Sequence, residues 1–178
     1  MTHLPLRHCV VRSWQTNDLG SLVEHANSWK VWINLRDRFP HPYTKSDGRA
    51  FINEALRVRP ETLFAIAVED MAVGGIGFRR QPDVERVSAE IGYWLGEAFW
   101  GRGIATEALV AVTQLAIDRH QLTRVFALPF SDNVASCRVL QKAGYDLEGR
   151  LRRSAIKNGR IVDQLQYAYI APVAPSEG

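Results

Sequence analysis

A strand-like run that ends near two closely spaced glycines and then opens a long amphipathic helix limits this chain more than any other feature. The run is Ala89-Glu90-Ile91-Gly92-Tyr93-Trp94-Leu95, followed after a short link by Trp100-Gly101-Arg102-Gly103-Ile104-Ala105-Thr106. From Ile104 onward Ala108, Leu109, Val112, Leu115 and Ala116 recur at helical spacing on one face, while Glu107, Gln114 and Asp118 lie elsewhere, so the glycines sit at a helix N-terminus. The first N–H groups of a helix have no intrahelical partner and carry about half a unit of positive charge, which favours an anion there. Glycine at 101 and 103 lets that backbone close around a ligand, where a Cβ would restrict φ or meet a phosphate. The stretch reads as a pyrophosphate cradle; the plain alternative is a helix that follows a glycine-rich turn. The dinucleotide fingerprint is excluded for want of its third glycine, and the nucleotide-triphosphate loop for want of Gly-Lys followed by Ser or Thr.

With 178 residues, 46% of them hydrophobic, the chain is long enough for one domain with a full core and too short to expect two. That domain is expected over residues 1–170, with 171–178 as a tail containing small and polar residues. A formal net charge of +3 is mild, and no run of Lys or Arg marks a nucleic-acid arm or a membrane-surface helix. The expectation is of no nucleic-acid partner. No apolar run reaches the ~18 residues of a membrane span, and Met1 to Trp14 has no apolar core of signal-peptide length, so no membrane association and a cytoplasmic location are expected. Cys9 and Cys137 lie far apart without CxxC spacing or paired histidines, which suggests neither a disulfide framework nor a metal site. Cys137 fits a buried structural cysteine better than a nucleophile, because no base partner accompanies it.

Along the chain the pattern predicts a strand at 8–13, a helix from Asp18, as N-cap, to Trp29, and a short helical piece at 30–35. Residues 36–46 crowd Pro40, His41, Pro42 and Tyr43 together and read as a mobile loop. A helix is expected at 47–58, then a hairpin of strands at 62–68 and 71–80 with a bend or bulge at Gly74, Gly75 and Gly77. A strand at 87–95 leads into the helix at 104–120, followed by a strand at 124–129 and a helix at 133–143 stopped by Gly144. Strands at 145–156 and 161–170 are joined through Asn158-Gly159, a strong hairpin signal. The order predicts an α/β mixed sheet with helices on its faces.

Two segments, in this order, resemble the GNAT superfamily of acetyl-CoA-dependent N-acetyltransferases, and within it the RimJ/RimL-like branch. Glu90-Ile-Gly-Tyr-Trp-Leu95 with Trp100-Gly-Arg-Gly-Ile-Ala105 resembles the Gln/Arg-x-x-Gly-x-Gly/Ala signature. Asn133-Val-Ala-Ser136 through Gly144-Tyr145 resembles the Asn-x-x-Ser helix that ends in Gly-Phe/Tyr. The likeness covers roughly residues 87–170. Its signature departs at the first position, where Trp100 stands for Gln or Arg.

The resemblance implies a mostly antiparallel twisted sheet whose central parallel strand pair splays to admit acetyl-CoA. Backbone groups of Trp94 and Leu95 would pair with pantetheine, Gly101, Arg102, Gly103, Ile104, Ala105 and Thr106 would hold the pyrophosphate, and the Leu95 N–H would act as oxyanion donor. Asn133 would bind the pantetheine arm and Ser136 would protonate the leaving thiolate; alternatively Asn133 is an N-cap and Ser136 a helix-surface residue. The tyrosine that many members carry seven residues after the Asn is Leu140 here, and the glutamate expected after Gly149 is replaced, with Ala155 at the best-matching place. Glu90 is left as candidate base, or as a structural acceptor. Trp32, Phe39, His41 and Tyr43 would line a pocket for an amine acceptor, a protein N-terminus or a small molecule, or else serve the core. A non-catalytic acyl-CoA-binding or sensing module is the alternative function. A monomer and a homodimer are both compatible with the sequence.

Overall fold

A computed structural model of the chain describes residues 1–172. Eight strands form one sheet: β1 (His3–Pro5), β2 (Val10–Ser13), β3 (Leu63–Val68), β4 (Met71–Arg80), β5 (Ser88–Leu95), β6 (Arg124–Ala127), β7 (Asp146–Lys157) and β8 (Arg160–Ile170). Their spatial order is β1-β2-β3-β4-β5-β6-β8-β7, with every pair antiparallel except β5 and β6. This is the mixed architecture that the sequence predicts. The end of the tail, residues 173–178, lies outside the described residues.

Five α-helices pack on the two faces: α1 (Leu19–Ala26), α2 (Trp29–Trp32), α3 (Lys45–Arg57), α4 (Ile104–His120) and α5 (Val134–Lys142). The apolar stripe of α4, with Ala108, Leu109, Val112 and Ala116, is fully buried against Val11, Phe64, Ile66, Val73 and Val125 on one sheet face. On the other face α1 and α3 bury Leu22, Ala26, Ile52 and Ala55 against Trp14, Ala65 and Ala72. Alternation along the strands feeds both layers, so burial of one face cannot be traded for the other without a register slip. No helix among the described residues is long and apolar enough to cross a membrane.

Several local expectations change. The single helix expected from Asp18 to Trp29 is two, because Asn27 leaves the helical region and Ser28 starts α2 by accepting the Val31 N–H at 3.3 Å. Asp18 does not cap α1 with its side chain, which is drawn instead to Arg12 and to the Gln15 N–H. The bulge expected near Gly74 is present, as the β3–β4 register shifts between Ile66 and Ala67. Gly144 stops the chain after α5 at φ +84°, and Asn158 and Gly159 turn the last hairpin with φ of +48° and +73°, the pair of positive values that a two-residue hairpin turn favours.

Candidate active site

β5 and β6 pair only at Ser88↔Arg124, Ala89↔Val125 and Glu90↔Phe126. Beyond Glu90, β5 follows β4 as far as Leu95, while the chain leaving β6 bridges to β8 through Phe130 and Gln164. The two strands therefore diverge and open a V. Register decides which backbone groups face it. Leu95 lies opposite Gly74, and the Gly96 N–H reaches the Val73 carbonyl at 2.8 Å, while the Gln81 N–H reaches the Ser88 carbonyl at 2.9 Å. In an antiparallel ladder this parity commits the even residues of β5 to β4 and turns the odd ones away. Tyr93 and Leu95 thus present N–H and C=O groups to the opening. The backbone of Trp94, expected to share that role with Leu95, is committed to Gly75, and Tyr93 takes its place.

The Leu95 carbonyl accepts the Trp100 indole N–H at 2.7 Å, which leaves the Leu95 N–H as the open group at the end of β5. The residue that departs from the signature thus ties the strand end to the loop that follows. In that loop Gly101 and Gly103 hold φ of +76° and +80°, values that side chains rarely adopt. The Trp100 N–H bonds to the Glu97 carbonyl, and the next N–H with a backbone acceptor is that of Glu107, to Gly103. Among the described residues the N–H groups of Gly101 to Thr106 have no backbone acceptor outside the helix. They stand at the start of a 17-residue helix, so its dipole adds to their pull on an anion. Glu107 would oppose an anion there, but its carboxylate is turned to His8, accepting the backbone N–H at 3.0 Å and meeting Nδ1 at 2.6 Å. Arg102 lies over the Phe99 ring at 5.2 Å.

α5 forms the opposite wall. Asn133 is its N-cap, accepting the Ser136 N–H through Oδ1 at 3.1 Å, and this uses the carbonyl half of its amide only. The Tyr93 hydroxyl lies 2.9 Å from Ser136 Oγ, where either can donate, and 3.3 Å from the Ser136 carbonyl, the other acceptor within reach of its one hydrogen. Burial pushes the Tyr93 phenol far above its ordinary range. Leu140, where the resembling family often has tyrosine, is fully buried. Cys137 is buried too, its thiol pushed up by desolvation, which suits packing and not nucleophilic attack.

The even residues Glu90, Gly92 and Trp94 face the layer that holds α1 and α3. Glu90 is not a free base: Arg36 and Arg79 both bind its carboxylate, Arg79 at 3.3 Å, so it bridges the loop to the sheet. The loop at 36–46, expected to be mobile, makes ion pairs to the sheet and the last hairpin. Besides Arg36, its Asp37 accepts from Lys157 Nζ at 2.8 Å, and that buried ammonium sits 3.8 Å above the Trp32 ring. Trp32 stacks on His41 at 5.6 Å, and Phe39 meets Trp94 edge-on at 5.6 Å. Trp32, Phe39 and His41 therefore gather where the loop faces the end of the last hairpin and the strand carrying Glu90 and Trp94. Tyr43 does not join them as a lining residue. It is 5% exposed, its N–H bonds Asn27 Oδ1 at 2.9 Å, and burial pushes its phenol up to about 12.

Residues 8–146 match the family described as Acetyltransferase (GNAT) domain. The chain belongs to the GNAT acetyltransferase family. Among relatives of this GNAT chain, the ribosomal-protein-serine acetyltransferase of Escherichia coli (strain K12) is 35% identical over 108 residues, 61% of this chain and 60% of that protein. The uncharacterized N-acetyltransferase YoaA of Bacillus subtilis (strain 168) is 36% identical over 100 residues, 56% of each chain. These matches thus span less than two thirds of either relative. The L-amino acid N-acetyltransferase AaaT of Escherichia coli (strain K12) aligns over 90% of this chain and 97% of its own at 26% identity. In fold the chain is similar to RimL, the ribosomal L7/L12 alpha-N-protein acetyltransferase, in a structure with coenzyme A. The TM-score is 0.82 at 23% identity, covering 95% of this chain and 98% of that one.

Trp100→Phe keeps an aromatic ring of smaller size and removes the donor to Leu95. The expected result is a loss of about 1 kcal/mol in urea unfolding, the usual worth of one part-buried hydrogen bond.

Proposed function

We propose that this GNAT protein transfers the acetyl group of acetyl-CoA directly to a primary amine. The observation that carries the proposal is the open N–H of Leu95, at the end of a strand that leads into six N–H groups at the start of α4. Acetyl-CoA supplies the thioester that the amine attacks. Gly101 to Thr106 would hold its pyrophosphate, the Tyr93 backbone a pantetheine amide, and Asn133 the arm through its free amide nitrogen. The Leu95 N–H then stands as donor to the carbonyl oxygen that gains charge as the amine adds, the position where a fixed donor contributes most. Ser136, half-buried at the first turn of α5, supplies a proton to the departing sulfur.

No side chain is assigned as base. Glu90 is held by two guanidinium groups, and a neutral amine needs none, because partial desolvation in the cleft favours the uncharged form. The relatives named for a ribosomal-protein serine and for L-amino acids both suggest an α-amine as acceptor. The cleft beside Trp32, Phe39 and His41 offers aromatic faces to the group that carries it.

Thiol release from acetyl-CoA tests this against a serine-started peptide, free L-amino acids and a polyamine, with calorimetry of acetyl-CoA in parallel. Turnover on one of these amines is expected. Tight binding without turnover on any would favour a non-catalytic acyl-CoA-binding module, and absence of binding would remove the reading altogether. Ser136→Ala should lower kcat about a hundredfold, the lower end of general-acid contributions, with acetyl-CoA affinity nearly unchanged. A wild-type rate would take Ser136 out of the mechanism.

A further inference from the structure

We propose that Tyr93 is a positioning residue for protonation of the leaving thiolate: its hydroxyl donates to Ser136 Oγ and so turns the serine's own hydrogen toward the sulfur. The inference rests on the acetyl-transfer reading above and adds to it a residue from a different element.

Each of the two hydroxyls at the 2.9 Å contact carries one hydrogen, and the contact itself can use only one. When the phenol donates, the serine hydrogen is released from the pair and can point into the opening between β5 and β6. When the serine donates, its hydrogen is lost to the phenol and the tyrosine must turn to the Ser136 carbonyl at 3.3 Å, a longer bond. The shorter contact is the one the first arrangement uses, and Tyr93 Oη is held in place for it. Its backbone belongs to the diverging end of β5, and its ring packs with the core layer that α4 and α5 cover. Burial keeps the phenol protonated well beyond neutral pH, so it remains a donor throughout the working range. A serine that accepts one hydrogen bond is a better donor of its own, since linked hydroxyls polarise one another.

The proton count closes on the reactants. The amine nitrogen forms a bond to the carbonyl carbon and sheds one proton; the C–S bond breaks and its electron pair stays on sulfur. Ser136 passes its proton to that sulfur and is reprotonated by the proton shed from nitrogen. Tyr93 keeps its own throughout.

The test compares wild type, Tyr93→Phe, Ser136→Ala and the double variant in two measurements. One is kcat on the amine that the panel identifies, or on water if none is used, with thermal melting as the check that the conservative Phe ring keeps the fold. The other is titration of the thiol in the complex with CoA, followed by thiolate absorbance, which needs no acceptor. Tyr93→Phe should lower kcat about three- to tenfold, the worth of one hydrogen bond, and shift ionisation of the bound thiol to higher pH. Adding it to Ser136→Ala should change neither measurement further, because both act through one proton. Independent, multiplying losses would mark a structural tyrosine and overturn the proposal. So would a Tyr93→Phe protein that matches wild type in both, which would leave the acetyl-transfer reading standing. Failure of wild type to bind CoA would overturn both.

Discussion

Gly103→Val is expected to weaken acetyl-CoA binding by about a hundredfold or more while leaving the fold in place. The residue sits at φ +80°, directly before α4, and a Cβ there would meet no protein atom within 4 Å. The protein therefore has room for valine; its backbone does not. A left-handed conformation costs an L-residue about 1–2 kcal/mol, and a β-branched one more, so the loop relaxes toward negative φ. Relaxation moves the Gly101 to Thr106 N–H groups out of convergence. Each charge-assisted hydrogen bond lost to a phosphate oxygen is worth about 1.5–3 kcal/mol, so two lost bonds reach the stated factor. Calorimetry with acetyl-CoA reads the affinity, and a melting temperature near wild type separates lost binding from lost structure. Gly103→Ala, with the same sign of strain and less branching, should fall between. Unchanged affinity in the valine variant would end the cradle assignment.

The strand, the glycine turn and the helix that would form the cradle were legible because they are local: they follow one another within about twenty residues, and each carries its own pattern. The same holds for the Asn133 cap, the Gly144 stop and the Asn158-Gly159 turn, which depend on φ preferences of single residues. Tyr93 was not legible, because its meaning comes from contact with Ser136 across 43 positions and from a register that only pairing with β4 fixes. The same register explains why Tyr93 and not Trp94 offers its backbone to the V: shifting the partner by one residue would exchange them. Glu90 looked available for proton transfer because nothing in the sequence brings Arg36 to it. The prolines at 36–46 show that the loop is not helical, while its ion pairs to distant Glu90 and Lys157 leave no local pattern. β1 passed unnoticed since three residues, His3–Pro5, are too few to show alternation.

Asp18→Ala should give the largest loss of stability, about 3–5 kcal/mol, because its carboxylate makes a buried ion pair with Arg12 and does not cap α1. The Arg12 and Asp18 side chains are 8% and 4% exposed and meet fork to fork at 2.8 and 2.7 Å. Arg12 also donates to the Ser13 carbonyl at 3.1 Å and the Asp70 carbonyl at 2.9 Å, and Asp18 accepts the Gln15 N–H at 2.8 Å. The pair thus joins β2, the entry to α1 and the β3–β4 turn. Hydrogen bonding to Asp18 raises the Arg12 guanidinium above its ordinary value, so the cation cannot escape by losing its proton. Removing the carboxylate leaves that charge buried and unpaired, which is the costly case; replacing both partners by apolar residues of similar volume is often near neutral. Arg12→Met with Asp18→Leu should accordingly recover much of the loss, a coupling that a double-mutant cycle in urea would measure with the m-value as the check on cooperativity. By contrast Lys30→Ala, which breaks an ion pair exposed by 68% and 38%, should cost under about 1 kcal/mol. A loss for Asp18→Ala no larger than that would mean that water reaches Arg12 and that α1 is held by its apolar face alone.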